Sequence, residues 1–168
     1  MKKLFTLKII VCMACAITLG PFDIIGTQTH LMAANADNPG TKCQPTPSDY
    51  LGPFYKAGAP VRSSVGKGYD LMGWVMSSAT CAPIPHARLE LWLANPDGSY
   101  DDDHRATIMA DETGEYKFES NFPPGYFGRP PHIHIRISAE GFKTLVTQHY
   151  PAHGQATGDF DIVLVPKR

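Results

Sequence analysis

Residues 129–137, which read Arg-Pro-Pro-His-Ile-His-Ile-Arg-Ile, give the clearest indication of the fold. Successive side chains of a β-strand point to opposite faces, so this stretch predicts a strand with one face of three isoleucines. The other face carries His132, His134 and Arg136. Two histidines spaced in this way can share one metal ion. Alternating polar residues on a strand often face plain solvent, so the metal interpretation needs support from elsewhere in the chain.

Short alternating segments separated by turns dominate the remainder of the sequence. The 168 residues include 15 glycines and 15 prolines, which we interpret as turn residues between strands. In no long segment do apolar residues recur with the period of a helix. This pattern predicts an all-β chain, an antiparallel β-sandwich. Residues 37–68 are rich in proline and glycine, and we expect them to wrap the sandwich as an ordered arm if Cys43 and Cys81 form a disulfide. The predicted strands include residues 71–76, 88–93, 116–119, 142–150 and 160–165.

Four short motifs support the histidine pair. In chain order they are Gly-x-Tyr at 98–100, Pro-Gly-Tyr at 124–126, Arg-Pro-x-His-Ile-His at 129–134 and Thr-Gln-His-Tyr at 147–150. Together they resemble the intradiol ring-cleavage dioxygenases, above all the catalytic core shared by the protocatechuate and catechol enzymes. Leu-Gly-Pro-Phe-Tyr at 51–55 is similar to a further motif of that family, and the resemblance extends from about residue 41 to 165.

The resemblance implies an antiparallel β-sandwich of the intradiol dioxygenase core type and a set of site residues. It implies four metal ligands, with Tyr100 and His132 equatorial and Tyr126 and His134 axial. It also implies catalytic roles for Tyr126, Arg129 and Gln148. Leu51, Pro53 and Tyr55 are candidates for the lining of the substrate pocket.

Two tyrosines and two histidines are a distinctive donor set. Metal binding removes the phenol proton, and two phenolates are hard anionic donors that favour a highly charged ion. Imidazoles complete a mixed nitrogen and oxygen set suited to iron. We therefore expect Fe(3+), with zinc as the main competitor on ligand type alone. The resemblance implies a catechol-type substrate and O2, with the ring cleaved between its two hydroxylated carbons to a muconate-type diacid.

The beginning of the chain has the pattern of a secretory signal peptide. Lys2 and Lys3 precede an apolar run over residues 9–19, which is shorter than the roughly 20 residues needed to span a bilayer. We expect a signal peptide over residues 1–36 with an uncertain cleavage site, followed by the sandwich domain over residues 37–168. The protein is then exported, periplasmic or extracellular, with no stable membrane span; a lipid anchor at Cys15 stays open.

Cysteine usage and charge agree with export. The domain contains Cys43 and Cys81, an even pair in a compartment that permits disulfides. A bridge between them is favoured over two buried thiols or two thiolate ligands. The formal net charge of the whole chain is −1, with no basic stripe, so nucleic acid is excluded as an expected partner.

Two other interpretations compete with the enzyme. One is an exported β-sandwich binding module related to these enzymes but without turnover, and the other is a structural or adhesive domain. Neither explains why all four predicted ligands and Arg129 occur together. The sequence leaves open which catechol is bound, the oligomeric state, and what His149 and His153 do to the pocket.

Overall fold

A computed structural model describes residues 43–125 and 128–168, which belong to one unit spanning Asp37–Arg168. These residues contain strands and no helix, so none of them forms a helix that could cross a bilayer. The predicted signal peptide and Tyr126 lie outside the described residues. The strands, numbered in chain order, are β1 Tyr69–Ser77, β2 Arg88–Trp92, β3 Arg105–Met109, β4 Glu115–Ser120, β5 Ile133–Ser138, β6 Leu145–His149, β7 Thr157–Asp159 and β8 Ile162–Leu164.

The strands form two sheets, as the sequence predicted. The first contains β4, β1 and β7 in that order, with β8 also paired to β1. The second has the order β3-β2-β5-β6, and all its pairings are antiparallel. The all-β fold class is therefore confirmed. One difference is that β7 and β8 pair with β1 in parallel, which alternation along a single strand cannot predict.

The hydrophobic core is formed by the inward faces of these strands. Ile133, Ile135 and Ile137 of β5 are fully buried in it, together with Leu89 and Leu91 of the neighbouring strand β2. Burial of side chains of this size stabilises a fold by about 1.5–3 kcal/mol each. Because β5 alternates strictly, burying its isoleucines places His134 and Arg136 on the outer face of the second sheet.

Two predicted strands are shorter than expected. Strand β6 covers only the last part of residues 142–150, because a turn occupies its beginning, where the Phe142 amide donates to the Ala139 carbonyl oxygen at 3.2 Å. Strand β8 covers only the middle of residues 160–165, and β7 lies before it in a stretch with no strand pattern.

Residues 43–68 form the predicted arm. Its beginning is bonded covalently to the sandwich, because Cys43 and Cys81 form a disulfide with Cα atoms 5.3 Å apart. The arm then crosses the outer side of the second sheet. There the Asp49 amide donates to the Val146 carbonyl oxygen of β6 at 2.9 Å, and the Arg62 amide donates to the Thr107 carbonyl oxygen of β3 at 3.2 Å.

Candidate metal and substrate site

The two predicted histidine ligands lie side by side on the outer face of the second sheet. Their ring centroids are 4.8 Å apart, and both residues are buried, with 3% of His132 and 2% of His134 exposed. His134 lies within β5, and His132 directly precedes it. The pleat of this strand therefore brings the two imidazoles together, as the spacing predicted.

Tyr100 reaches the same point from a different part of the chain. The Asn95 side-chain oxygen accepts hydrogen bonds from the Asp97 and Ser99 amides, which stabilises the turn before Tyr100. The Tyr100 hydroxyl then lies 3.1 Å from Nε2 of His132. Its ring is 5.9 Å from that of His134. Phe54 of the arm stacks on Tyr100 at 4.3 Å, so the arm helps to hold this tyrosine.

The imidazole of His132 is oriented by the main chain. Its Nδ1 lies 2.8 Å from the Pro130 carbonyl oxygen, which can only accept, so Nδ1 carries the proton in this arrangement. Nε2 is then the nitrogen with a free lone pair, and it faces the Tyr100 oxygen. Burial lowers the pKa of His132, against a smaller opposing effect of the Pro130 carbonyl. A histidine held in this way has the form that metal ligation requires.

His134 is held mainly by packing. Trp92 is its register partner on β2, and the two rings stack at 4.9 Å with only 3° between their planes. Gly52 of the arm covers the ring so closely that a β-carbon there would be 2.9 Å from Cε1. Burial, followed by the charges of His132 and Arg129, lowers the pKa of His134 to about 4. Within the described part of the chain its Nδ1 makes no hydrogen bond of normal geometry, and the nearby Tyr50 main chain opposes the fall in the pKa only weakly.

Arg129 and Gln148 join this group. Arg129 Nη2 donates to Oε1 of Gln148 at 2.7 Å, and Nη1 lies 3.5 Å from Nε2 of His132. Gln148 is the register partner of His134 on β6 and is 4% exposed. The ordinary expectation for a polar residue on an edge strand is exposure, so its burial beside His134 agrees with a role at the site.

The pocket candidates are divided by the structure. Leu51 and Pro53 flank Gly52 and are exposed, whereas Tyr55 is half-buried against Trp92, with ring centroids 5.2 Å apart. The Tyr55 hydroxyl donates to the Glu90 carboxylate at 3.3 Å. Tyr55 is therefore the one of the three with a defined place beside a residue that packs on His134.

Glu90, 3% exposed, extends this arrangement along the outer face of the sheet. It accepts a hydrogen bond from Arg136 and lies 3.0 Å from Arg88 Nη1. A buried carboxylate needs such compensation, because removing a charge from water is costly. The two arginines and Tyr55 provide it here.

Three residues of the site were missed by sequence analysis. Trp92 lies within the predicted strand over residues 88–93, but only the pairing of β2 with β5 puts it against His134. Asp49 lies in an irregular segment and accepts a hydrogen bond from Tyr150 at 2.7 Å. Nothing in the local sequence pointed to Asp49. Phe54 belonged to a predicted motif, but its stacking on Tyr100 depends on the path of the arm.

The donor set fits a metal ion that accepts phenolate. In residues 43–125 and 128–168 no group of three or more histidine, cysteine, aspartate and glutamate side chains could hold a metal. A metal centre at His132 and His134 would therefore depend on tyrosine oxygen. The Tyr100 oxygen already faces the Nε2 lone pair of His132, and His134 supplies a second neutral, buried imidazole. Tyr126, the second predicted phenolate ligand, lies outside the described residues; with it the set would suit iron better than zinc, for which double phenolate ligation is unusual.

The sequence is similar to those of known dioxygenases. The chain is 31% identical to a catechol 1,2-dioxygenase of Candida albicans over 179 aligned positions, covering 85% of this chain and 58% of that protein. It is 30% identical to a hydroxyquinol 1,2-dioxygenase of Nocardioides simplex, covering 84% and 58%. The chain belongs to the intradiol ring-cleavage dioxygenase family. It spans a little over half the length of these two relatives, and no family profile matches it.

Solved structures of the family share the fold. The dioxygenase domain of a dioxygenase carbohydrate-binding protein fusion from Streptomyces sp. SirexAA-E superposes with a TM-score of 0.67 at 27% identity. The superposition covers 74% of this chain and 100% of that domain. Hydroxyquinol 1,2-dioxygenase from Pseudomonas putida DLL-E4 has a TM-score of 0.65 at 19% identity, covering 76% of this chain and 69% of that one. At that identity, the second likeness supports the fold alone.

Proposed function

We propose that this chain is a non-haem Fe(3+) intradiol dioxygenase. In the proposed reaction both atoms of O2 enter a catechol-type aromatic, and the ring opens between the two hydroxylated carbons to a muconate-type diacid. The observation that carries the proposal is the 3.1 Å approach of the Tyr100 hydroxyl to His132 Nε2, beside the buried ring of His134. A module that only binds ligands has no need for this arrangement.

Four residues would hold the iron. They are Tyr100, His132 and His134, together with Tyr126, whose assignment rests on the family resemblance. Bound ferric iron would supply Lewis acidity toward the two catechol oxygens and a template for the reaction with O2. Tyr126 would take one proton from a catechol hydroxyl on its phenolate oxygen, so the site needs no separate carboxylate for that step.

Arg129 would stabilise negative charge that develops on the substrate. Its guanidinium is held by Gln148 and lies beside His132, so little reorganisation is needed when the charge appears. A guanidinium presents its N–H donors in a fixed planar fork, which suits this role. Gln148 would act by orienting Arg129, because its amide oxygen accepts one of the guanidinium hydrogens at 2.7 Å.

The proposed setting is outside the cytoplasm. Disulfides persist in oxidising compartments and are rare in reducing ones, and the bond between Cys43 and Cys81 therefore favours an exported protein. Secretion of the full chain, followed by sequencing of the mature N-terminus, tests both export and the proposed cleavage near residue 36.

The first experiment is a visible spectrum with iron analysis, before and after catechol is added without oxygen. The proposal predicts a broad phenolate-to-iron band that shifts when catechol binds, and O2 uptake when air is admitted. Tyr126→Phe should retain iron, alter this band and lose most turnover. His132→Ala and His134→Ala should lose most of the iron, while His153→Ala, at an exposed position, is the matched control. A colourless protein that takes up no iron would favour the binding module instead.

A further inference from the structure

The hydroxyl of Tyr150 connects the arm to Arg129. It lies 2.7 Å from the Asp49 carboxylate, 3.1 Å from Arg129 Nη2 and 3.2 Å from Oε1 of Gln148. A phenol has one hydrogen, and the charged and nearest acceptor is Asp49. The Tyr150 oxygen is then free to accept from Arg129. The hydroxyl therefore links the Asp49 carboxylate to the guanidinium through two hydrogen bonds in series.

The protonation states of this pair reinforce that direction. The hydrogen bond from Tyr150 lowers the pKa of Asp49, while burial and the Asp49 carboxylate raise the pKa of Tyr150. Asp49 is therefore an acceptor and Tyr150 a donor throughout the neutral range.

Gln148 is oriented by the same part of the arm. Its Nε2 donates to the Tyr50 carbonyl oxygen at 2.6 Å, so its Oε1 turns toward Arg129. Arg129 Nη2 thus has two acceptors, Gln148 and Tyr150, and both are placed by contacts with residues 49 and 50. With Nη2 held in this way, Nη1 faces His132 at 3.5 Å.

We propose that Asp49 and Tyr150 are positioning residues, which hold the Arg129 guanidinium beside the histidine pair. Their hydrogen bonds lead to Arg129, although the Tyr150 ring also lies 6.2 Å from that of His132. The inference rests on the proposed function for the consequence in turnover, because a correctly placed Arg129 matters only at a working site. The placement of Arg129 itself can be measured without turnover.

The first test measures the Arg129 side chain directly. The test uses iron-free protein labelled with 15N at arginine, because a ferric ion would broaden these signals. A guanidinium held by two acceptors should rotate slowly about its Nε–Cζ bond and give separate Nη signals. Arg129→Lys identifies the signals. Tyr150→Phe and Asp49→Asn should merge or broaden them, while Glu140→Gln, which removes an exposed carboxylate elsewhere, should leave them unchanged. Unchanged Arg129 signals in both positioning variants would overturn the inference.

The second test asks whether the effect on turnover passes through Arg129. In iron-loaded protein, Tyr150→Phe should lower kcat/KM for catechol at least fivefold with the iron content unchanged. In an Arg129→Leu background the same change should cost less than twofold. A purely structural role predicts the same fold-loss in both backgrounds, and that result would also overturn the inference.

The two tests separate this inference from the proposed function. If wild-type protein binds iron but does not turn over catechol, the proposed function fails. The arginine spectra still decide whether Asp49 and Tyr150 hold Arg129.

Discussion

His149 should make the folded chain sensitive to mild acid. It lies on β6 next to Gln148 but is partly buried on the opposite side, where its Nε2 is 2.7 Å from the Tyr69 hydroxyl. Its ring also packs at 5.3 Å from Phe160. Burial lowers the pKa of His149 from 6.5 to about 4. As the pH falls below 6.5, His149 therefore becomes protonated in the unfolded chain while it stays neutral in the folded one.

The sign and size of the effect follow from this difference. The unfolded state binds more protons than the folded state between pH 6.5 and about 4, so the stability contributed by neutral His149 is full above pH 6.5 and is lost as the pH falls. One pKa unit corresponds to about 1.4 kcal/mol, which sets an upper bound of about 2 kcal/mol at pH 5. Partial exposure to solvent weakens the effect, and we expect about 1–2 kcal/mol.

The assay is urea unfolding at pH 7.5 and pH 5.0. The wild type should lose about 1–2 kcal/mol more than His149→Phe between these two pH values. For each protein we compare the free energy of unfolding at the two pH values. The difference removes the pH-independent cost of leaving Tyr69 without its hydrogen-bond partner. Tyr69→Phe is the matched control: it removes the same hydrogen bond but keeps a buried imidazole, so it should retain most of the pH dependence. Equal losses in wild type and His149→Phe would refute the reasoning.

Three further predictions concern the framework around the site. Replacing Cys43 and Cys81 by serine should lower the free energy of unfolding by about 3–4 kcal/mol, and thiol titration of the unreduced wild type should find no free thiol from this pair. Gly73→Ala would bring a β-carbon within 2.3 Å of a backbone oxygen, so we expect a loss of a few kcal/mol by thermal unfolding. Trp92→Leu removes the ring stacked on His134 and should weaken iron retention in a chelator competition, whereas undiminished retention would separate that stack from metal binding.

Features that depend on alternation within a single strand were predicted correctly from the sequence. The alternation over residues 129–137 placed the three isoleucines in the core and the two histidines together, because the pleat alone determines which side chains share a face. The motif resemblance added Tyr100, Arg129 and Gln148, which the fold brings to the same place. The role of Tyr126 stays a prediction.

The sequence could not predict what depends on pairing between distant segments. Strand β7 has no alternating pattern and exists because it pairs in parallel with β1. Glu90 and Trp92 alternate with the core leucines of β2 and so lie on its outer face, which is commonly solvated in an antiparallel sheet, yet they are 3% and 2% exposed. Their burial results from Tyr55 and its neighbours in the arm, which no local pattern places over β2.

The arm is therefore part of the site rather than a wrapping around it. Asp49 accepts a hydrogen bond from Tyr150, and the Tyr50 carbonyl orients Gln148. Further along the arm, Gly52 covers His134 and Phe54 stacks on Tyr100. These contacts arrive in chain order as the arm crosses the sheet, so a displacement of one would disturb the next. The disulfide at Cys43 lies only six residues before Asp49 and limits how far this segment can move. For this reason we expect reduction of that bond to loosen the site before it unfolds the sandwich. The separate Arg129 signals should then be lost at a temperature where the β-sheet circular dichroism is unchanged. Simultaneous loss of both signals would mean that the arm and the sandwich unfold as one unit.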